Sequence, residues 1–198
     1  MKRININSNK SPNFIGCWYL NDKNISRGII DFFENNKSLQ RKGTTARGVE
    51  EERKKSTDIT ISPNKLSDAK YKVFHDYFLE LQKCFVDYRE QWPFVKNFLP
   101  KVNVGPFNVQ KYFPGDHFSA LHSERTGLST LHRIFAFMTY LNDVEDGGTT
   151  NFDYYGLQIK PENSKTLIWP AEWTHAHSGS ILKSGTKYII TGWFDFAA

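Results

Sequence analysis

Cysteine is nearly absent: the 198 residues contain two, Cys17 and Cys84. Two thiols in a chain of this size exclude a disulfide-framed scaffold, and both read as reduced thiols in a cytosolic setting. Long apolar runs are missing as well. No stretch approaches the roughly 20 apolar residues that a membrane-spanning helix needs, so no membrane partner is expected. The N-terminal MKRININSNKSPN has two basic residues but no apolar h-region, which predicts no signal peptide and a cytoplasmic protein. Repeats and low-complexity tracts are absent too. Nor is there a strong charge of one sign: 26 basic residues against 21 acidic ones leave +5. Much of that excess falls in QRKGTTARGVEEERKKS, residues 40–56, where the signs are mixed and no aromatic residue is interleaved. The stretch therefore reads as a solvated loop, not as a nucleic-acid patch, and nucleic acid is not expected as a partner.

What the chain has in plenty is aromatic side chains, 16 Phe, 9 Tyr and 5 Trp, enough for one domain over residues 1–198 with a sizeable core. The pattern changes near residue 100. Before it lie helical signals. NISRGIIDFFEN places Ile25, Ile29, Phe32 and Phe33 at helical spacing behind Asn24 as a candidate cap. From Ser67 to Glu90, Tyr71, Phe74, Phe78, Leu81, Phe85 and Tyr88 recur at steps of three and four. That is one buried stripe, capped by Ser67, favoured by Asp68 at its positive end and stopped by QWP. Between the two, residues 37–65 form a polar loop long enough to be functional, in which STDITIS alternates like a short strand. After Pro100 short strand-like runs alternate with turns: FNVQKYF, IFAFMTYL, TTNFDYYG, LQIKP, KTLIWP and KYIITGWF. Such spacing predicts a sandwich or barrel, not alternating βα units. The expected fold is thus α+β and mainly β. A jelly roll over 101–198 is supported by helices in 1–100.

Five of the six histidines fall between 117 and 177. His122 and Glu124 stand two positions apart in SALHSERTG, so in a strand they would share a face. Either His175 or His177, also two apart, could add a third ligand. Two imidazoles and one carboxylate on one side of an ion leave coordination sites open, as iron(II) oxygen chemistry requires. A closed zinc site would call for paired cysteines. Lys187 follows His177 by ten residues, and a turn at Ser184-Gly185 would bring it back toward the ion, where its charge could pair with the far carboxylate of a chelating dicarboxylate. A sandwich with structural histidines, or a metalloenzyme with no dicarboxylate co-substrate, are the competing readings.

From Phe107 to Phe194, VQKYFPG, the H-x-E pair, TYLNDVEDGGTTNF, LIWPAEWTHAH and SGTKYIITGW together resemble the iron(II)- and 2-oxoglutarate-dependent oxygenases of the prolyl 4-hydroxylase group, including members encoded by marine bacteriophages and bacteria. The resemblance implies a double-stranded β-helix and a procollagen-proline 4-dioxygenase-like enzyme that hydroxylates an unactivated C–H bond. The first-choice substrate is a prolyl residue in a peptide or protein; another side chain or a small molecule is the alternative. It implies Fe(II), with 2-oxoglutarate and O2 as co-substrates and ascorbate as an accompanying reductant. By the family's spacing His122, Glu124 and His177 are the metal ligands. Lys187, Tyr140, Tyr112 and Thr149 would then serve 2-oxoglutarate, and Arg133, Trp193 and His175 the substrate. Glu124 stands where the family's commoner residue is Asp. If phage-encoded, the enzyme would work in the host cytoplasm. The polar loop at 37–65 would close over an extended substrate.

Overall fold

The structure, a computed structural model, describes residues 1–6, 12–45 and 47–197. Part of the N-terminal polar stretch and one residue of the 37–65 loop therefore lie outside the described residues. Helix α1 (Lys23–Asn35) forms where the first apolar periodicity falls, but its cap is Asp22, whose Oδ1 accepts the Asn24 N–H at 2.8 Å. Helix α2 (Lys72–Gln91) starts later than Ser67. A single 3-10 turn precedes it, capped by Asp68, whose side chain accepts the Lys70 N–H at 2.9 Å. The chain does not leave the helical layer at QWP. A short helix α3 (Pro93–Phe98) comes next, with Pro93 in its first turn, where a missing N–H costs nothing. The buried stripe of α2 runs through Phe74, Tyr77, Leu81, Cys84, Phe85 and Tyr88, while Phe78 is only half-buried.

Thirteen strands form two antiparallel sheets among the described residues. The larger sheet is built from β1 (Lys2–Arg3), β2 (Gly16–Tyr19), β3 (Arg41–Lys42), β4 (Thr57–Ile61), β5 (Val102–Val104), β6 (Phe107–Tyr112), β8 (Arg133–Tyr140), β11 (Lys165–Pro170) and β13 (Lys187–Phe196). The smaller has β7 (Phe118–His122), β9 (Thr150–Phe152), β10 (Leu157–Ile159) and β12 (His177–Gly179). The larger is ordered β1-β2-β11-β8-β13-β6-β4-β3, with β5 also on β13, and the smaller β10-β9-β12-β7. This is the double-stranded β-helix that the resemblance implies, and β4 lies within STDITIS. The GCWY strand β2 had no visible signal because it is only four residues long, begins on glycine and does not alternate.

Period-two alternation divides the core. Ile168, Phe135, Phe137, Ile190 and Phe194 face the helices and pack with Phe33, Phe74, Tyr77 and Phe85. Leu167, Trp169, Ala136, Met138, Tyr140 and Ile189 face the smaller sheet. Cys17 and Cys84 are free, buried in different halves of this core, and burial pushes both thiols up to about 12. One polar thread crosses the helix side: Tyr77 Oη lies 2.9 Å from Thr139 Oγ1, which lies 2.8 Å from Thr166 Oγ1. Tyr77→Phe strands one end of that chain and should lower unfolding stability by about 1 kcal/mol, read as a smaller urea midpoint with unchanged m-value.

Candidate active site

His122, the last residue of β7, lies directly opposite His177, the first of β12, and their ring centroids are 4.4 Å apart. His122 Nδ1 faces the Ala120 carbonyl at 2.8 Å and His177 Nδ1 the His175 carbonyl at 2.9 Å. A carbonyl only accepts, so each Nδ1 carries the proton and each Nε2 keeps its lone pair for a metal. Glu124 is not in β7 but in a bend two residues past its end, so strand alternation does not aim it. Its side chain is held instead by Trp193, whose Nε1–H donates to Oε2 at 2.8 Å. Its main chain is held by Arg133, whose Nη1–H donates to the Glu124 carbonyl at 3.1 Å while the guanidinium stacks 3.6 Å over the Trp193 ring.

The free Oε1 is left 3.3 Å from His177 Nε2, and one donor atom from each of the three residues lies within 4.8 Å of the others. Two donors bound at about 2.1 Å and at right angles stand about 3 Å apart, so the Glu124–His177 spacing fits neighbouring ligands of one ion. Burial opposes ionisation of Glu124, yet the adjacent His177 and His122 rings and the Trp193 N–H favour the carboxylate and hold it down at about 2. Burial and the neighbouring His177 push His122 down to about 4. At neutral pH the carboxylate is ionised and the His122 imidazole neutral, the forms a metal needs. Phe118 stacks on His122 at 3.8 Å, and Phe152 and Trp169 wall His177 at 5.4 and 5.1 Å. Trp193→Phe frees Glu124 Oε2 and should weaken ferrous-ion binding about tenfold, the lower end for an outer-shell partner, measured by competition with a chelating dye.

The three residues open into a cavity of about 1020 Å³ between the sheets. Lys187 lines it, buried, with its Nζ donating to the Gly148 carbonyl at 3.0 Å and lying 4.3 Å from the centroid of the Tyr112 ring. It has no carboxylate partner among the described residues, and burial lowers it to about 8. The glycine pair before β9 makes room: a Cβ at Gly148 would sit 3.1 Å from Lys187 Cδ, and one at Gly147 2.3 Å from the Ile181 carbonyl. Tyr112, Arg133 and Trp193 line the same cavity. Tyr140 does not reach it; the hydroxyl lies 2.6 Å from Thr150 Oγ1, and Thr150 lines the cavity in its place.

Two more expectations are corrected by side-chain direction. The Thr149 hydroxyl points away, donating to Asn151 Oδ1 at 3.0 Å and lying 2.8 Å from Ser180 Oγ. His175 is neither ligand nor substrate-facing. Its Nε2 donates to the Asn13 carbonyl at 2.9 Å and its Nδ1 lies 3.0 Å from Thr174 Oγ1, so the ring ties the N-terminal segment to the sandwich.

The loop at 37–65 is not simply solvated. Lys54 is buried and bonds Asp58 Oδ2 at 2.6 Å; Ser56 donates to Asp58 Oδ1 at 2.8 Å and Gln110 to Oδ2 at 3.3 Å. Tyr112 donates in turn to Gln110 Oε1 at 2.7 Å. Residues 53–55 lie along the free edge of β7, where Lys55 and His117 exchange backbone hydrogen bonds. Asn108 and Gln110 on β6, and Ile189 and Thr191 on β13, also line the cavity. Counting by twos from Tyr112 and Lys187 would have found them; nothing in the charged run marked Lys54 or Asp58.

Residues 107–195, a little under half of the chain, match the model of the 2OG-Fe(II) oxygenase superfamily. Within that class the similarities fall in the prolyl hydroxylase group. The chain is 26% identical over 121 residues to "Probable prolyl 4-hydroxylase 9" of Arabidopsis thaliana, covering 48% of this chain and 42% of that one. It is 28% identical over 91 residues to "Prolyl 4-hydroxylase subunit alpha-2" of Gallus gallus, covering 42% and 17%. The chain thus spans less than half the length of these curated relatives. Among solved structures, a viral collagen prolyl hydroxylase from Paramecium Bursaria Chlorella virus-1, in its 2OG complex, superposes with TM-score 0.68 at 17% identity over 95% of this chain and 98% of that one. A Pseudomonas putida prolyl-4-hydroxylase gives 0.72 at 14%, over 93% and 94%. A Trichoplax adhaerens prolyl hydroxylase in complex with a hypoxia inducible factor peptide fragment gives 0.70 at 15%, over 93% and 84%. No helix among the described residues is long and apolar enough to cross a membrane.

Proposed function

We propose that the chain is an iron(II)- and 2-oxoglutarate-dependent dioxygenase that hydroxylates a prolyl residue in a peptide or protein. The observation that carries this reading is that His122, Glu124 and His177 bring donor atoms within 4.8 Å of one another in a cavity also lined by a buried cation, Lys187, that has no carboxylate partner among the described residues. Ferrous iron bound there, with 2-oxoglutarate and O2, supplies the oxidant for C–H hydroxylation and leaves succinate and carbon dioxide; ascorbate would keep the metal ferrous. The chain's own part is placement. Lys187 binds the distal carboxylate of 2-oxoglutarate, with the Tyr112 ring beneath its Nζ. Tyr140 acts at one remove, fixing Thr150 in the cavity wall. Trp193 and Arg133 hold Glu124 so that Oε1 meets the ion. Phe118, Phe152 and Trp169 keep water from the imidazoles.

A prolyl target is supported by the group into which the relatives fall. The test is conversion of 2-oxoglutarate to succinate by the protein with Fe(II), on proline-containing peptides, with mass spectrometry of the product. A gain of one oxygen on proline supports the proposal. Coupled turnover that marks another residue moves the substrate assignment, and no metal-dependent succinate at all overturns the chemistry.

A further inference from the structure

The distribution of charge singles out this cavity. Eight of the chain's 26 basic residues line it and only three of the 21 acidic ones, so 18 of each remain elsewhere and cancel. The whole net charge of +5 is therefore the surplus of one cavity. Its three carboxylates are already engaged: Asp58 with Lys54, Glu50 with Arg53, and Glu124 with the imidazoles and Trp193. Lys42 pairs with Glu51 just outside. On the proposed chemistry Lys187 is answered by the co-substrate. Arg41, Arg47, Lys65 and Arg133 are left over, with no carboxylate within 4.0 Å among the described residues. Arg133 stands beside Glu124, whereas Arg41 lies on β3 and Lys65 just past β4.

Resting on the proposed function, we infer that the polypeptide substrate is acidic, with Asp or Glu on both sides of the hydroxylated residue, and that these four cations read it. A nucleic acid would bring negative charge too, but it also needs free aromatic faces on which bases stack. The lining offers few: Tyr112 lies under Lys187, Phe118 on His122, Trp169 against His177, Trp193 under Arg133 and Tyr71 against Phe32. Exposed ion pairs contribute little singly, so the discrimination comes from several acting together and should fade with salt.

The test is fluorescence anisotropy on the full chain, with dye-labelled peptides that carry a central proline flanked by Asp and Glu, by Ser or by Lys, and a single-stranded DNA of similar length as a further probe. The acidic peptide should bind about tenfold more tightly than the lysine peptide at low salt, with the gap closing at high salt, as several weak pairs acting together predict. The double variant Arg41→Glu with Lys65→Glu leaves two free cations against two new carboxylates and should abolish the preference. In the unaltered chain, equal affinities, a lysine preference or tighter binding of the DNA would each overturn the inference. Hydroxylation is scored on the same peptides separately. Selective binding of the acidic peptide without oxygen transfer to any of them removes the catalytic reading and leaves the charge reading standing.

Discussion

His177→Ala eliminates both ferrous-ion binding and metal-dependent succinate formation, while the protein stays folded. Three donors define the site, and two remaining ones, His122 and Glu124, cannot hold a ferrous ion against water at ordinary concentrations. The loss should exceed the roughly 10–100-fold typical when only an outer-shell partner is removed. His177 is buried at the head of β12 against Phe152, Trp169 and the Glu124 carboxylate, so truncation leaves a cavity and takes one neighbour from Glu124, which keeps the Trp193 N–H. Titration of Fe(II) under anaerobic conditions, read by the difference spectrum of the 2-oxoglutarate chelate, measures the effect. Retained binding with lost turnover would show that His177 shapes the substrate side and does not ligate. The parallel change His175→Ala should leave metal affinity within about twofold, because both of its ring nitrogens are occupied elsewhere.

That contrast shows what the sequence could and could not express. The two histidines have the same spacing as any pair on one strand face, and residue order alone left them equivalent. Their roles separate only in space, because β12 starts at His177, whereas His175 ends a 3-10 turn beneath the N-terminal segment. The large sheet was legible where strand-like runs of six residues or more stand between turn signals, even in β8 and β11, which are buried on both faces, and the helices wherever the apolar stripe is narrow. Strand β2 was not, since it has only four residues and begins on glycine. Glu124 was legible as a ligand by motif, but it does not sit on a strand face as its spacing from His122 suggests. Trp193 and Arg133, distant in sequence, set its direction. Lys54 and Asp58 sit in a run whose composition matches solvent-exposed loops, and their burial depends on β4 meeting β6, a pairing no local pattern announces.

Lys187→Met should raise the KM for 2-oxoglutarate by at least about 30-fold, the smaller end of the loss expected on removing one partner of a buried charge pair, and should stabilise the free protein at the same time. The two effects have one cause. Burial without a carboxylate partner lowers the lysine from 10.5 to about 8, so the fold keeps the cation at neutral pH but at a cost. At neutral pH that strain is on the order of 3 kcal/mol, and an apolar side chain of similar length removes it. The unfolded chain keeps its proton up to about 10.4, so between about 8 and 10 this one group favours the native state increasingly as pH rises, while the buried Cys17 and Cys84 thiols, held up to about 12, act in the opposite direction in both proteins. The stability advantage of the methionine variant over wild type should therefore shrink through that window. Catalysis runs the other way: kcat/KM for 2-oxoglutarate, which reports the free enzyme, should be level below about 8 and decline above it as Lys187 loses its charge. Thermal unfolding between neutral and alkaline pH, alongside succinate kinetics over the same range, measures both. A variant that is less stable and unchanged in KM would mean that Lys187 is held for packing beside Gly148 and Tyr112, and that the co-substrate's distal carboxylate is bound elsewhere.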